Sequence, residues 1–117
     1  MTDIMLVDDE VLALEYLKNM VDWERNGYHV VGCATSGKKA LELFDRTHPQ
    51  IVISDIRMPG TDGLELTRQI KEKDKETVVI LLSAYRDFDY AQKGIRYGVS
   101  NYLLKHELSS ELILKEL

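Results

Sequence analysis

The sequence predicts an α/β domain in which a parallel β-sheet carries helices on both faces. Five short apolar segments, rich in Val, Ile and Leu, alternate with segments whose apolar residues recur at helical spacing. The apolar segments lack polar alternation, which is typical of parallel strands buried on both faces. Strands that alternate with helices in this way are joined by right-handed crossovers. The 117 residues are enough for one domain with a sizeable core and too few for two.

Each element can be placed on the sequence. Strands are predicted at residues 3–7, 29–34, 51–55, 78–82 and 101–104. Helices are predicted from five apolar stripes, namely Val11, Leu14, Leu17 and Val21; Ala40, Leu43, Phe44 and Thr47; Gly63, Leu66 and Ile70; Phe88, Ala91 and Ile95; and Ile113, Leu114 and Leu117. Thr35 or Ser36 is expected to cap the second helix, and Ser109 opens the fifth. Five such units match a flavodoxin-like, doubly wound, five-stranded sheet with strand order 2-1-3-4-5.

Composition excludes several classes of protein. A chain that is 44% hydrophobic and 30% charged is typical of a globular domain rather than a disordered one. The net charge of −5 disfavours nucleic-acid binding by this domain itself. No apolar run approaches the roughly 20 residues needed to cross a bilayer, so we expect a cytoplasmic protein without membrane contact. Cys33 is the only cysteine, and we expect it to be a small buried residue.

Acidic side chains follow two of the predicted strands, and a lysine follows a third. Asp8 and Asp9 follow strand 1, Asp55 ends strand 3 and Lys105 follows strand 5. The carboxyl ends of parallel strands meet at one edge of the sheet, where such folds bind ligands. Two carboxylates about 4 Å apart repel by roughly 4 kcal/mol at an effective dielectric constant of about 20. The cluster therefore requires a metal ion or must take up protons.

The residue types narrow the chemistry of this edge. The sequence contains neither G-x-G-x-x-G after strand 1 nor G-x-x-x-x-G-K-[ST], and His29, His48 and His106 lack the spacing of metal ligands. Carboxylate oxygens suit Mg²⁺, and a lysine ammonium suits a phosphoryl group. Ser83 offers a hydroxyl group at the same edge. A carboxylate can itself be the nucleophile and form an aspartyl phosphate.

Four segments together carry a resemblance to a known family. They are Leu6–Glu10 (LVDDE), Ile53–Gly63 (ISDIRMPGTDG), Leu82–Ala84 (LSA) and Tyr102–Lys105 (YLLK). In this order, and at the ends of predicted strands, they make nearly the whole chain similar to the receiver domain of two-component response regulators. The resemblance implies a signalling switch that catalyses only its own phosphorylation and dephosphorylation.

The resemblance also implies roles for particular residues. Asp55 would accept a phosphoryl group from a histidine kinase. Asp9, Asp55 and the backbone carbonyl of Arg57 would bind Mg²⁺, with Asp8 acting directly or through water. The phosphoryl oxygens would then engage Ser83 and Lys105, and Tyr102 would turn inward as the coupled aromatic switch. A phosphoryl group brings roughly −1.5 to −2 charges, enough to reorganise a loop.

The sequence departs from the family pattern at two positions. His106 stands where proline usually follows the lysine through a cis bond, and Thr61 stands where methionine is common. A cis bond before a residue other than proline costs about 3–4 kcal/mol. We therefore predict a trans bond between Lys105 and His106.

Further expectations concern the protein beyond this domain. The segment Tyr85–Gln92 resembles receivers that are attached to arabinose-regulator-type helix-turn-helix domains. The chain ends about two turns into its last predicted helix, so residues 1–117 are expected to be a truncated receiver domain that precedes a transcriptional output domain. The resemblance leaves homodimerisation open; the face that many receivers use to pair consists of helix 4, strand 5 and helix 5, and Lys93, Arg96, Tyr97 and Glu107 are its expected exposed members.

Other interpretations of the same residues remain open. The domain can be a protein-binding module that phosphate does not switch, which only His106 favours. It can also be a metal-dependent phosphatase with Asp55 as nucleophile, although Arg57 stands where a second acid would protonate the leaving group. Individually, the acids can be turn or cap residues, Ser83 a helix cap, and Tyr102 an ordinary buried strand residue.

Overall fold

The protein folds into a five-stranded parallel sheet covered by helices on both faces, as predicted. The computed structural model describes the backbone of residues 1–84 and 88–117 and the side chains of residues 1–84 and 92–117. The elements are β1 (Thr2–Val7), α1 (Val11–Met20), β2 (Tyr28–Ala34), α2 (Gly37–Thr47), β3 (Ile51–Asp55), α3 (Gly63–Lys73), β4 (Val78–Ser83), α4 (Phe88–Arg96), β5 (Asn101–Leu104) and α5 (Ser110–Glu116). Short 3₁₀ helices occupy Glu24–Asn26 and Lys105–Glu107. The strand order β2-β1-β3-β4-β5 confirms the predicted topology.

Two apolar clusters form the core, one on each face of the sheet. Alternate residues of β1 contribute to different clusters: Met5 and Val7 pack with α2 and α3, whereas Ile4 and Leu6 pack with α1 and α5. Each central strand is therefore apolar at successive positions, because both of its faces are covered. This arrangement explains the uninterrupted apolar runs in the sequence.

Side-chain caps fix the starts of three helices near the ends of strands. The Ser36 hydroxyl oxygen accepts a hydrogen bond from the Lys39 backbone N–H at 3.1 Å, which identifies Ser36 rather than Thr35 as the cap of α2. The side chains of Asp62 and Ser109 cap α3 and α5 in the same way. Each cap satisfies a backbone donor that the helix itself leaves unpaired. Helix α2 ends at Thr47, and the next residue, His48, adopts the left-handed conformation with φ of 46°.

Most described residues of the predicted helical stripes face the core, but two of them, Val11 and Ile95, do not. Val11 is 60% exposed, because a helical side chain leans toward the helix N terminus and Val11 is the first residue of α1. Ile95 is 75% exposed, so its assignment to the buried face of α4 is wrong. That face instead includes Gly94, where a Cβ atom would lie 3.4 Å from Val99 Cγ1 and 3.7 Å from Leu81 Cδ1. The side chains of Phe88 and Ala91 lie outside the described residues.

The prediction that Cys33 is buried is also wrong, since this thiol is exposed. Strand β2 is an edge of the sheet, and its pairing with β1 shifts register between Ile4 and Met5. An edge strand with such an irregularity covers fewer of its side chains than a central strand does. Partial burial nevertheless raises the pKa of the Cys33 thiol, although nearby Lys18 lowers it.

The described residues test two further expectations only in part, one about the segment Tyr85–Gln92 and one about membrane spans. Part of the segment Tyr85–Gln92, on which the resemblance to arabinose-regulator-type proteins depends, lies outside the described residues. Within the described part of the chain, no helix combines the length and the apolar character needed to cross a membrane.

Candidate functional site

The structure brings the three predicted acids together at the carboxyl edge of the sheet. Asp8 follows β1 and Asp55 ends β3, and these strands are neighbours with Val7 opposite Ser54. Asp8 and Asp55 are buried, with exposed fractions of 3% and 8%, and Asp9 is half-buried. One oxygen from each of the three carboxylates lies within 4.8 Å of the others. Such a group of oxygens matches the preference of a hard divalent cation.

Lys105 completes the cluster from the end of β5. Its ammonium nitrogen lies 2.8 Å from Asp8 Oδ2 and 3.3 Å from Asp55 Oδ1. The Lys105–His106 bond is trans, as predicted, and the two residues open a 3₁₀ turn closed by the Leu108 N–H, which donates to Lys105 O at 3.2 Å. His106 therefore does not keep the lysine away from the acids.

Burial and neighbouring charges shift the pKa values of Asp55 and Lys105. Desolvation raises the pKa of Asp55 from 3.8 to about 6, with Lys105 opposing the rise and Asp8 adding to it. For Lys105, burial alone would lower the pKa, but the hydrogen bond to Asp8 and the charge of Asp55 outweigh it and raise the pKa. Three carboxyl groups face one ammonium group, and this excess of acidic over basic groups favours a divalent cation.

Backbone hydrogen bonds fix the acids in place. The Asp8 N–H donates to Ala34 O at 3.1 Å, and Asp8 Oδ1 accepts the Glu10 N–H at 3.0 Å. The carbonyl oxygen of Asp55 accepts the Ser54 hydroxyl at 2.8 Å. The chain direction after Asp55 is set by the Ile56 N–H, which donates to Leu82 O at 3.1 Å. The carboxylates thus project from segments that are anchored to neighbouring strands.

A cavity of about 230 Å³ opens beside Asp55. It is lined by Glu10, Asp55, Arg57, Ser83, Ala84 and Lys105. Ser83 is buried and ends β4, so four predicted residues (Asp55, Arg57, Ser83 and Lys105) meet here. Glu10 was part of a recognised segment but received no role, and its position directly after the acid pair was the available signal.

The residues predicted to act away from the acids lie elsewhere. Tyr102 is half-buried and packs against the core cluster on the α2–α3 face. It is not among the described residues that line the cavity beside Asp55. On the predicted pairing face, Lys93, Arg96 and Glu107 are exposed. Tyr97 is half-buried against the same core cluster, so the expectation that it is exposed is wrong. Its ring fills the space beside the core, which leaves only part of it accessible.

The fold and the acidic edge define a flavodoxin-like α/β domain with a candidate cation site at the carboxyl ends of its strands. The sequence model of the response regulator receiver domain family matches residues 4–116 of the chain. The chain therefore belongs to this family.

Relatives and solved structures agree with this assignment. The chain is 39% identical over 105 residues to the uncharacterized transcriptional regulatory protein YesN of Bacillus subtilis, and 38% identical over 105 residues to the transcriptional regulatory protein HptR of Staphylococcus aureus. Both alignments cover 90% of the chain, which spans only 28% of the length of YesN and 41% of that of HptR.

Among solved structures, the receiver domain of AraT, a response regulator from Geobacillus stearothermophilus, superposes with a TM-score of 0.86 at 34% identity, covering 98% of this chain and 88% of that one. A chain of the CheX–CheY–BeF₃–Mg²⁺ complex from Borrelia burgdorferi gives a TM-score of 0.87 at 25% identity, covering 98% and 85%.

Proposed function

We propose that Asp55 is the phosphoacceptor of this receiver domain and that a histidine kinase is the donor. The observation that carries the proposal is the convergence of the Asp8, Asp9 and Asp55 carboxylates with the Lys105 ammonium group beside an open cavity. Asp55 lines that cavity, which leaves room for a phosphoryl group next to its carboxylate.

The transfer is a substitution at phosphorus. A carboxylate oxygen of Asp55 forms a bond to the phosphorus atom, and the bond from phosphorus to the donor histidine nitrogen breaks with its electron pair remaining on the imidazole. The nucleophile must be ionised. With a pKa of about 6, roughly nine-tenths of Asp55 is ionised at neutral pH. Because a bound cation favours the ionised carboxylate, phosphorylation of Asp55 is expected to fall as the pH drops to about 6 or below.

Asp8, Asp9 and Asp55 and the backbone carbonyl of Arg57 are proposed to hold Mg²⁺. All four donors are oxygens, which is the donor set that Mg²⁺ prefers. When bound, the ion neutralises charge on the transferring phosphoryl oxygens. The presence of BeF₃ and Mg²⁺ in the related Borrelia burgdorferi complex supports this assignment.

Ser83 and Lys105 are proposed to bind the phosphoryl oxygens. In the unphosphorylated domain, Lys105 is held by Asp8 and Asp55. Phosphorylation converts the Asp55 carboxylate into an acyl phosphate and moves its negative charge onto the phosphoryl oxygens. The lysine is expected to follow that charge, since charge-assisted hydrogen bonds to phosphate are strong. Tyr102 is proposed to respond by moving further into the core that it already contacts.

The domain is proposed to regulate transcription as one part of a longer protein in the cytoplasm. Its relatives YesN and HptR are named as transcriptional regulatory proteins and extend well beyond the matched region. DNA contact is assigned to an output domain, because this domain has a net charge of −5. Helix α4, β5 and α5 are proposed as a pairing face, with exposed Lys93, Arg96 and Glu107.

Labelling by a small phosphodonor tests the proposal. The wild-type domain, treated with acetyl phosphate and Mg²⁺, is expected to gain one phosphoryl group by mass spectrometry and to lose it slowly afterwards. Asp55→Asn should not be labelled, whereas the control Asp45→Asn, which changes an exposed acid on α2, should be labelled normally. Labelling of Asp55→Asn would assign the nucleophile elsewhere. A wild-type domain that is never labelled would favour a module that phosphate does not switch, and continuous turnover of acetyl phosphate would favour a phosphatase.

A further inference from the structure

The turn between β2 and α2 contacts both segments that carry the acidic site. At one end of the turn, Ala34 O accepts the Asp8 N–H at 3.1 Å. At the other end, the buried Gly37 lies directly against Thr61 in the loop that follows Asp55. A Cβ atom at position 37 would lie 2.3 Å from Thr61 O, 2.6 Å from Thr61 Cβ and 2.8 Å from Thr61 Cγ2. The contact is therefore available only to glycine.

The turn itself is firmly held. Ala34 is buried and pairs with Val7 in the sheet. The Ser36 hydroxyl accepts the Lys39 N–H at 3.1 Å, and Ser36 O accepts the Ala40 N–H at 2.9 Å. Residues 34–37 thus connect the end of β2, which is paired with the central strand β1, to a capped helix, and they give the loop a rigid support.

The loop after Asp55 is anchored at its base and in its first half, and its tip is exposed. It is closed at its base by the Gly63 N–H, which donates to Ile56 O at 2.7 Å, and Met58 anchors its first half in the core. Its tip is exposed at Pro59 and at Gly60, which has φ of 76°. Beyond Met58, the packing of Thr61 against Gly37 supports the second half of the loop. Crowding at position 37 would therefore displace the loop rather than α2.

We infer that Gly37 is a positioning residue for the acidic site. By letting Thr61 pack flat on the β2–α2 turn, it holds the loop that carries the Arg57 carbonyl at a fixed distance from Asp8, which the same turn binds. This inference rests on the proposed function, because it assigns the Arg57 carbonyl and Asp8 to one Mg²⁺ site. It adds an element outside the metal-binding segments that sets their separation.

Gly37→Ala tests the inference, with Gly94→Ala as the matched control. Both place alanine in a helix, but at position 94 the nearest contact of the new Cβ is an ordinary 3.4 Å. Gly37→Ala is expected to weaken Mg²⁺ binding, measured by titration calorimetry, about tenfold, equivalent to about 1.4 kcal/mol. In metal-free protein, the amides of residues 57–62 other than Pro59 should exchange with deuterium faster. Gly94→Ala should change neither quantity.

A second variant separates positioning from a general loss of structure. Gly37→Ala combined with Thr61→Gly removes two of the three atoms that the new Cβ meets but leaves Thr61 O, the nearest at 2.3 Å, so it should recover only part of the Mg²⁺ affinity that Gly37→Ala loses. Thr61→Gly alone removes the side chain that packs on Gly37 without crowding the turn, so it should fold, weaken Mg²⁺ binding and speed amide exchange in the loop even if Gly37→Ala does not fold. Wild-type Mg²⁺ affinity and loop exchange in Gly37→Ala, or in Thr61→Gly where Gly37→Ala does not fold, would overturn the inference. A wild-type domain that binds no Mg²⁺ would instead refute the proposed function, while metal-free exchange still reports on the contact.

Discussion

Replacing Asp55 by asparagine is expected to stabilise the metal-free domain at neutral pH. The Asp55 side chain is 11% exposed and lies close to the Asp8 carboxylate. Its ionised form is poorly solvated, and Lys105 at 3.3 Å compensates only in part. Asparagine has nearly the same shape and carries no charge, so it removes this electrostatic cost while keeping the packing.

The raised pKa of Asp55 sets the size and the pH range of the effect. In the unfolded chain the carboxyl ionises near its ordinary value of 3.8, and in the folded domain it ionises at about 6. Between these values the folded state holds more protons, so stability falls as the pH rises from about 4 to about 6. The full loss corresponds to about 3 kcal/mol. The pKa of about 6 already includes the attraction of Lys105, so we expect Asp55→Asn to gain on the order of 1–3 kcal/mol above this range.

Urea unfolding in the presence of a chelator measures this gain. Wild type and Asp55→Asn should be compared from about pH 4 to pH 8, across the range in which the carboxyl ionises. The melting temperature of the variant at neutral pH should rise on the order of 4–10 °C for a domain of this size. Asp45→Asn is the control, since it removes an exposed acid outside the cluster.

Two results would refute this reasoning. The first is an Asp55→Asn variant that is no more stable than wild type at neutral pH. The second is a stability gain that stays constant from acidic to neutral pH, because a gain of that kind would not arise from ionisation of Asp55.

Three further predictions concern single side chains. Asp9→Asn should weaken Mg²⁺ binding about tenfold or more, by analogy with the loss of a charged ligand; unchanged affinity in calorimetry would remove Asp9 from the metal site. Lys105→Ala should lose about 2 kcal/mol of stability at neutral pH without metal, because the buried Asp8 carboxylate loses its cation; a chevron or urea titration that shows no loss would contradict this. His48→Gly should gain about 0.5–1 kcal/mol, since φ of 46° is strained for histidine and free for glycine, and a loss on urea unfolding would show that the contact of His48 with Phe44 matters more.

The strands and their order could be predicted from the sequence because burial on both faces leaves a plain signal. The five predicted strands agree with the observed ones to within one residue at each end. The acids and Lys105 followed from the same argument, since parallel strands bring their carboxyl ends to one edge. The sequence did not reveal that Lys105 binds Asp8 more closely than Asp55. That preference depends on the path of the chain after β5, which no local pattern encodes.

The wrong predictions arise from packing that periodicity does not describe. An apolar residue at helical spacing was expected to face the core at Ile95, but α4 packs through Gly94, whose missing side chain allows close approach to Val99. The position of Cys33 in the predicted strand 29–34 likewise suggested that its side chain is buried. Whether a strand is central or at an edge, and where its pairing shifts, decides the exposure of such a residue. Both cases are set by tertiary contacts rather than by the residue type.

The exposed thiol of Cys33 makes the domain well suited to site-specific spectroscopy. Because it is the only cysteine in the sequence, a maleimide dye or nitroxide label would attach at one place without any background substitution. Its raised pKa means that alkylation proceeds faster in mildly alkaline buffer, where more thiolate is present. A second cysteine introduced on α4 or α5 would then give a distance across the sheet, from the β2 edge to the proposed pairing face. Such a ruler would follow the domain in solution as phosphodonor is added.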